Sequence, residues 1–221
     1  MAFEVRSIMG KVKNMRPDLK EAMVDYYTQE SVRKICRLTM LAQKDIAITI
    51  ASNANSATIS DGTNDINRIH LVKMLNSNNV YKIIGEANYV DINNKVSIQD
   101  STGVPQIWAY NVIDKKLRIY PTPISSTQLI VTISYVPTGE ITEIPLPPES
   151  EDGIQYGALS EILRIPGPAI NLQLALNYEH KFNAEISNLK SIAILGNSGR
   201  LQADHVPLGG SRRQTSNPYR W

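Results

Sequence analysis

The spacing of apolar residues near the start of the chain predicts a helix that buries one face. Apolar side chains recur there every third or fourth position, as they do on a helix that packs against a core. Arg16-Pro17 interrupts this spacing. We therefore predict that residues 1–43 are helical and begin with a helix whose buried face is Val5, Ile8, Met9 and Val12.

A second helix is predicted to begin at Asp18. Asp18 stands where an N-cap belongs, and Glu21 follows three residues later as in a capping box. The Gln29-Glu30 step is either mid-helix or a short break. Two apolar stripes predict the buried face, first Leu19, Ala22, Met23 and Tyr26, and then Val32, Ile35, Cys36, Thr39 and Met40.

After residue 43 the apolar spacing changes to the alternation typical of β-strands. Ile46, Ile48 and Ile50 alternate with smaller or polar residues. Six to eight short strands separated by polar turns predict an antiparallel sheet or a small sandwich inserted between helices. The further strand-like runs are Arg68–Leu75, Val80–Ile84, Lys95–Ile98, Ile107–Val112, Leu117–Tyr120 and Gln128–Tyr135.

Helical spacing returns after Leu146-Pro147-Pro148, because proline cannot donate to a strand ladder. Ser150 can cap a helix with an apolar face, and Pro166-Gly167-Pro168 ends it. A long second helix follows, and Gly196–Gly199 is predicted to end that one. The two apolar faces are Ile154, Ala158, Leu159, Ile162 and Leu163, and then Leu172, Ala175, Leu176, Tyr178, Phe182, Ile186, Leu189 and Ala193.

These patterns predict the α+β class with three parts. Residues 1–43 and 146–196 form a helical core, residues 44–145 an inserted β region, and residues 197–221 an extended C-terminal arm. Residues 200–221 have no usable periodicity and cannot bury a core, so alone they should be disordered. Arginine and aromatic side chains are favoured at interfaces, so we predict that the arm orders on a partner; an unstructured terminus is the alternative. The predicted contact residues are Arg212, Arg213, Tyr219, Arg220 and Trp221.

Composition excludes several function classes. Lys and Arg together number 23 against 21 Asp and Glu, a net charge of +2, which is too small to indicate a nucleic-acid binder. Apolar runs are far shorter than the roughly 20 residues that a membrane span needs, and the first residues do not resemble a secretory signal. We therefore expect a protein used in a cytoplasm, or packed into a particle assembled there.

Candidate catalytic and metal-binding residues are few, and we expect neither an enzyme nor a cofactor. One cysteine and three histidines (His70, His180 and His205) lack metal-ligand spacing. Cys36 is interpreted as a buried structural thiol rather than a nucleophile, and His180 as a solvated helix residue. Glu149, Glu151 and Asp152 can in principle do acid–base work, but acids at a helix start are favoured by the helix dipole.

An aromatic row on the predicted sheet has two interpretations. Trp108 and Tyr110 alternate along one strand, and Tyr120 and Tyr135 lie on later strands. Such a row can bind sugars or bases, but it more often packs across strands. We favour packing and keep sugar binding as the rival function.

Several segments, in order, resemble the head-to-tail adaptor proteins of tailed phages. The first long helix ends Ile35-Cys36-Arg37-Leu38-Thr39, similar to an aromatic-Cys-Arg-x-Thr signature in which isoleucine replaces the aromatic residue. The family's strand pair and its return to helix are similar to four further segments, so the resemblance covers residues 18–195. These segments are Gly103–Tyr110, Leu117–Pro123, Ile144–Pro147 and Ile154–Leu159.

The resemblance implies a structural subunit of a ring, a dodecamer, that lies under the capsid portal of the virion and continues the DNA channel to the tail. Its partners would be copies of itself, the portal protein and tail or nozzle proteins, with double-stranded DNA passing without sequence-specific binding and no membrane. Assembly would occur in the host cytoplasm, and the C-terminal arm would reach into the portal.

Two other functions stay open at this point. A phage tail or baseplate protein would bind host-surface glycan through Trp108, Tyr110 and Tyr120. A hydrolase would use Glu149, Glu151 or Asp152.

Overall fold

The computed structural model of the protein describes residues 4–62, 64–75, 80–98 and 101–204, and it describes side chains in these ranges except for 96–98 and 194–204. Helices precede and follow a β region along the chain, which confirms the α+β class. The helices are α1 (Val5–Met15), α2 (Glu21–Thr39), α3 (Tyr89–Ile98), α4 (Glu151–Ile162) and α5 (Leu172–Asp204), with a 3-10 turn at Pro148–Ser150 before α4.

Four of the helices bury a common cluster of apolar side chains. α4 packs against α1, α2 and α5, and its apolar face is fully buried, as its spacing predicts. Val5, Ile8 and Val12 are the buried residues of α1, also as predicted. Segment 136–146, which returns from the sheet to the helices, adds Val136, Ile141, Ile144 and Leu146 to the same cluster.

The strands form one seven-stranded sheet in the order β1-β7-β3-β4-β5-β6-β2. Its outer strands, β1 and β2, contact each other, so the sheet curls nearly into a barrel. A second apolar cluster lies within this sheet, and Tyr135 packs against both clusters. The strands are β1 (Gln43–Ile50), β2 (Ser56–Thr58), β3 (Asn64–Leu75), β4 (Tyr81–Glu86), β5 (Ile107–Asn111), β6 (Lys116–Tyr120) and β7 (Thr127–Pro137).

The prediction of a wholly antiparallel sheet, with a strand at Lys95–Ile98, is wrong. β4 and β5 pair in parallel, and Lys95–Ile98 is the last part of α3, the helix between them. A parallel pair needs a crossover connection, which is commonly a helix. Polar and apolar residues alternate in 95–98 over only four positions, which is too short a stretch to distinguish a strand from a helix turn.

The first half of α2 does not use the predicted cap or the predicted face. The residue before the helix is Lys20, and no side chain caps this end. Ala22, Met23 and Tyr26 are exposed, whereas this half of α2 buries Val24 and Thr28. The second predicted stripe is confirmed at four of its five positions, the buried Val32, Ile35, Cys36 and Thr39. α2 continues through Gln29-Glu30 without a break.

Asp18 instead binds a buried arginine. Its carboxylate accepts hydrogen bonds from Nε and Nη2 of Arg16 at 2.9 and 2.8 Å. Arg16 is fully buried, and its Nη1 also donates to the carbonyl oxygens of Ile162 at 2.7 Å and Ile165 at 3.1 Å. One guanidinium therefore joins the corner between α1 and α2 to the end of α4. The hydrogen bonds from Arg16 also hold the pKa of Asp18 below its usual value.

Two predictions about helix ends are also corrected. Ser150 precedes α4, but its hydroxyl donates to the carbonyl of Pro147 at 2.7 Å and caps no helix N–H. Gly196–Gly199 does not end α5, which continues to Asp204. Glycine inside a helix costs only about 1 kcal/mol, which does not by itself end the helix. Residues 197–204, predicted as extended arm, are therefore helical.

Candidate assembly surfaces

Cys36 and His180 have the surroundings that the sequence predicts for them. Cys36 is fully buried on α2, and burial raises the pKa of its thiol to about 12. A buried, protonated thiol is not a nucleophile, so the structural interpretation of Cys36 is confirmed. His180 is exposed on α5, also as predicted.

The acidic residues near Pro148 lie at a helix start, as the dipole interpretation requires. Glu149 is in the 3-10 turn, and Glu151 and Asp152 are in the first turn of α4. Glu151 accepts a hydrogen bond from Nζ of Lys11 on α1 at 2.6 Å, so it also links two helices. Within the described ranges, no three or more His, Cys, Asp or Glu side chains form a group that could hold a metal ion.

The aromatic row packs within the sheet. Trp108 is 3% exposed, and its Nε1 donates to the carbonyl of Ile84 at 3.1 Å. Tyr110 and Tyr135 are half-buried against the same cluster, and the hydroxyl of Tyr120 accepts a hydrogen bond from Ser101 at 2.8 Å. A buried Trp108 presents no face to a sugar, which contradicts its role in the glycan-binding alternative and supports cross-strand packing.

Two helix faces expose apolar side chains that the sequence spacing assigns to the core. On α2 the face consists of Met23 and Tyr26, 38% and 58% exposed; we call it the α2 face. On α5 it consists of Leu172 and Leu176, 59% and 45% exposed; we call it the α5 face. The remaining predicted face of α5 does pack inward, since Ala175, Phe182, Ile186 and Leu189 are buried.

These two faces show why the spacing of apolar residues predicted burial for side chains that are exposed. A helix with apolar residues on more than one side has more than one possible buried face. α4 packs on the side of α2 that carries Val24 and Ile35, and it leaves Met23 and Tyr26 partly exposed in a single chain. Contiguous exposed apolar surface marks protein–protein contacts, so we take these two faces as the candidate assembly surfaces.

The predicted contact residues of the arm lie outside the described residues; these are Arg212, Arg213, Tyr219, Arg220 and Trp221. What the structure does describe is the helix that leads to them. Leu189 is the last buried residue among those with described side chains, and α5 continues for fifteen residues to Asp204. At 1.5 Å per residue these cover about 22 Å.

In the ranges that the structure describes, none of the helices combines the length and the apolar character needed to cross a bilayer.

Comparison with known protein families gives a match that spans nearly the whole chain. A family model described as SU10 adaptor protein matches residues 2–207, nearly the whole chain. This match confirms the predicted resemblance to phage adaptor proteins. No curated protein matches the chain.

Proposed function

The chain belongs to the SU10 adaptor protein family, a family of structural phage proteins, and from that premise we propose that it forms a ring joining the capsid portal to the tail. The observation that carries this proposal is the pair of exposed apolar helix faces. Met23 and Tyr26 on one helix, and Leu172 and Leu176 on another, have the spacing of core residues but stay 38% to 59% exposed in the single chain.

A ring accounts for two unlike faces better than a symmetric dimer does. A two-fold dimer uses the same patch on both subunits, whereas a closed ring pairs one surface of each subunit with a different surface of the next. In this proposal the α2 face of one subunit packs against the α5 face of its neighbour. A dodecamer is the ring size that the family resemblance implies.

The charge of the chain suits a conduit for DNA. A lumen that bound many phosphates through lysine and arginine would hold the genome strongly and in a salt-dependent way. The net charge of +2 over 221 residues is compatible with a wall that double-stranded DNA passes without sequence-specific binding. In this role the protein is a non-enzymatic component of the virion neck, assembled in the host cytoplasm, and contributes to genome ejection.

Ring assembly can be tested on the two faces. We expect Tyr26→Asp and Leu176→Asp each to reduce ring formation on portal rings by at least about tenfold. Burying either native side chain against a neighbour is worth about 1.5–3 kcal/mol per interface, and a charge there adds a desolvation cost. Native mass spectrometry of the protein mixed with portal rings of the same virus would measure the bound copies.

A matched control separates assembly from folding. Ile113 is 92% exposed in the turn between β5 and β6, so Ile113→Asp adds the same charge outside both faces. All three variants should melt within about 2 °C of the unchanged chain, because the substituted side chains are exposed. Normal ring formation by Tyr26→Asp and Leu176→Asp would refute the proposed interface.

The portal contact is proposed for the C-terminal arm, through Arg212, Arg213, Tyr219, Arg220 and Trp221. We expect a chain truncated after Asp204 to fold normally, since every described buried residue precedes Lys190, and to lose portal binding by more than about tenfold. Sedimentation with portal rings measures binding, and thermal unfolding measures the fold. Binding at the level of the full chain would overturn the assignment of the portal contact to these residues.

A further inference from the structure

A concave surface lies between α1, α2 and the segment 140–143, apart from both assembly faces. It is a cleft of about 570 Å³, with Val5, Met9, Ala22 and Ile141 among its lining residues. Hydrogen bonds hold the segment against α1 and α2: the N–H of Val5 donates to the carbonyl of Thr142 at 3.4 Å, and the N–H of Ile141 donates to Oε1 of Gln29 at 3.3 Å. The cleft is therefore built by three separate parts of the chain.

The rim of this cleft is strongly acidic. Five carboxylate side chains line it against a single arginine, Arg6. Within the described part of the chain, none of the five forms an ion pair with lysine or arginine. The five are Glu4, Glu21, Asp25, Glu140 and Glu143.

The arrangement favours a cationic occupant with apolar character. Like charges gathered around a concavity repel one another, and a low-dielectric wall strengthens the field inside it. Glu4 and Glu143 are directly paired through their backbones, which keeps two of these charges together. Arginine supplies both the positive charge and the apolar character, because its guanidinium binds carboxylates in a bidentate manner and its stem packs on apolar surface.

We infer that this cleft is the docking surface for residues 205–221 of the same chain in the unassembled protein. That segment carries Arg212, Arg213 and Arg220 with no Asp or Glu, and it adds Leu208, Tyr219 and Trp221 as apolar groups. Its charge and its aromatic content complement the rim and the wall of the cleft. The segment is also long enough to reach the cleft, because α5 ends on the side of the helices where the cleft lies.

The end of α5 lies at the same end of the helices as the cleft. α5 is antiparallel to α4, since Arg164 pairs with Glu179 and Gly153 faces Glu185. α1 is parallel to α4, since Lys11 pairs with Glu151 and Arg16 binds Ile162. The start of α1 and the last turns of α5 therefore both extend past the start of α4.

The remaining chain can cover the return distance. Extended chain spans roughly 3.3 Å per residue, so Arg212, eight residues after Asp204, can lie up to about 26 Å from the end of α5, and Arg220, sixteen residues after it, up to about 53 Å. The end of α5 extends about 22 Å past its last described buried residue, so both arginines can return that length. A tethered segment also has an effective concentration in the millimolar range. Moderate affinity is therefore enough to occupy the cleft within one chain.

The test uses a fluorescein-labelled peptide of residues 205–221 and the chain truncated after Asp204, with binding measured by fluorescence anisotropy at low salt. The truncation keeps every described buried residue. We expect binding that weakens as salt is added, and a loss of at least about tenfold when Glu21→Lys and Glu140→Lys are combined. A peptide with its three arginines replaced by glutamine should lose a similar amount.

A control pair of substitutions and the full chain show whether the peptide binds in the cleft and whether the chain's own segment occupies it. Glu86→Lys with Asp91→Lys changes the net charge equally at exposed residues of the β region, and this pair should alter peptide affinity less than about twofold. The full chain should bind the labelled peptide at least about tenfold more weakly than the truncated chain, because its own segment occupies the cleft. Equal binding by both chains would overturn docking within one chain, and equal loss in both double variants would overturn the cleft as the site. No portal is present, so failure here leaves the proposed function untouched.

Discussion

Replacing Arg16 by methionine should destabilise the protein by about 3–5 kcal/mol. Arg16 is fully buried, and it donates to the carboxylate of Asp18 and to the carbonyls of Ile162 and Ile165. Methionine fills part of the space but leaves those acceptors without their donor, and each buried polar group left unsatisfied costs about 1–3 kcal/mol. Chemical denaturation monitored by circular dichroism would measure the free energy of unfolding.

Asp18→Asn provides the matched comparison. Its amide oxygen can still accept one hydrogen bond from Arg16, and Arg16 keeps its two carbonyl acceptors, so the loss should be clearly smaller than for Arg16→Met. Since Arg16 lowers the pKa of Asp18, the ion pair stabilises the fold above the unfolded pKa of Asp18. That stabilisation is lost as the pH falls through the lowered pKa. Equal losses for the two variants would mean that Arg16 acts only through Asp18 and not through the end of α4.

Gly157→Ala should destabilise the protein by about 3 kcal/mol, although alanine favours helices. A Cβ at position 157 of α4 would lie 2.2 Å from Oγ of Ser31 and 2.9 Å from Cε2 of Phe182. The helix must then move away from both α2 and α5, and overpacking of this kind costs about 1–3 kcal/mol or more. For a chain of this size the melting temperature should fall by about 6–12 °C.

Gly10→Ala is the control, because the same substitution is expected to have the opposite effect on stability there. Gly10 lies in α1 with nothing within 4 Å of its would-be Cβ, so alanine should stabilise the helix by about 0.5–1 kcal/mol. Adding Ser31→Ala to Gly157→Ala should recover part of the loss, because it removes the closest clashing atom. The contact with Phe182 remains, so full recovery is not expected. A stabilising effect of Gly157→Ala would show that α4 does not pack as closely on α2 and α5 as the structure indicates.

The assembly faces show where sequence spacing is ambiguous. The first half of α2 has two possible buried sides, one with Met23 and Tyr26 and one with Val24 and Thr28, and the position of α4 decides which of them is buried. α4 lies more than a hundred residues away in the chain, yet Gly157 permits it to approach Ser31. The spacing of residues within α2 cannot show where α4 will pack. Met23 and Tyr26 lie on the side that α4 does not cover. We propose that they pack against a neighbouring subunit.

The roles of Arg16 and Gly157 in the core could not be predicted from the sequence either. By sequence, Arg16 next to Pro17 is only an interruption between helices. Its burial depends on three acceptors, two of which lie about 150 residues further along the chain. Gly157 within an apolar helix gives no local indication that it is a contact point between three helices.

Sequence by itself determined the properties that depend on neighbouring residues. These are the helices before and after the β region, the strands with clear alternation, the buried face of α4, the buried thiol of Cys36 and the ordered segments that identify the family. Tertiary structure alone decided the parallel β4–β5 pair, the exposed faces of α2 and α5, the burial of Arg16 and the acidic cleft. The physical reason is the range of the interactions. Helix and strand periodicity depend on residues a few positions apart, whereas which face is buried depends on parts of the chain that only folding brings together.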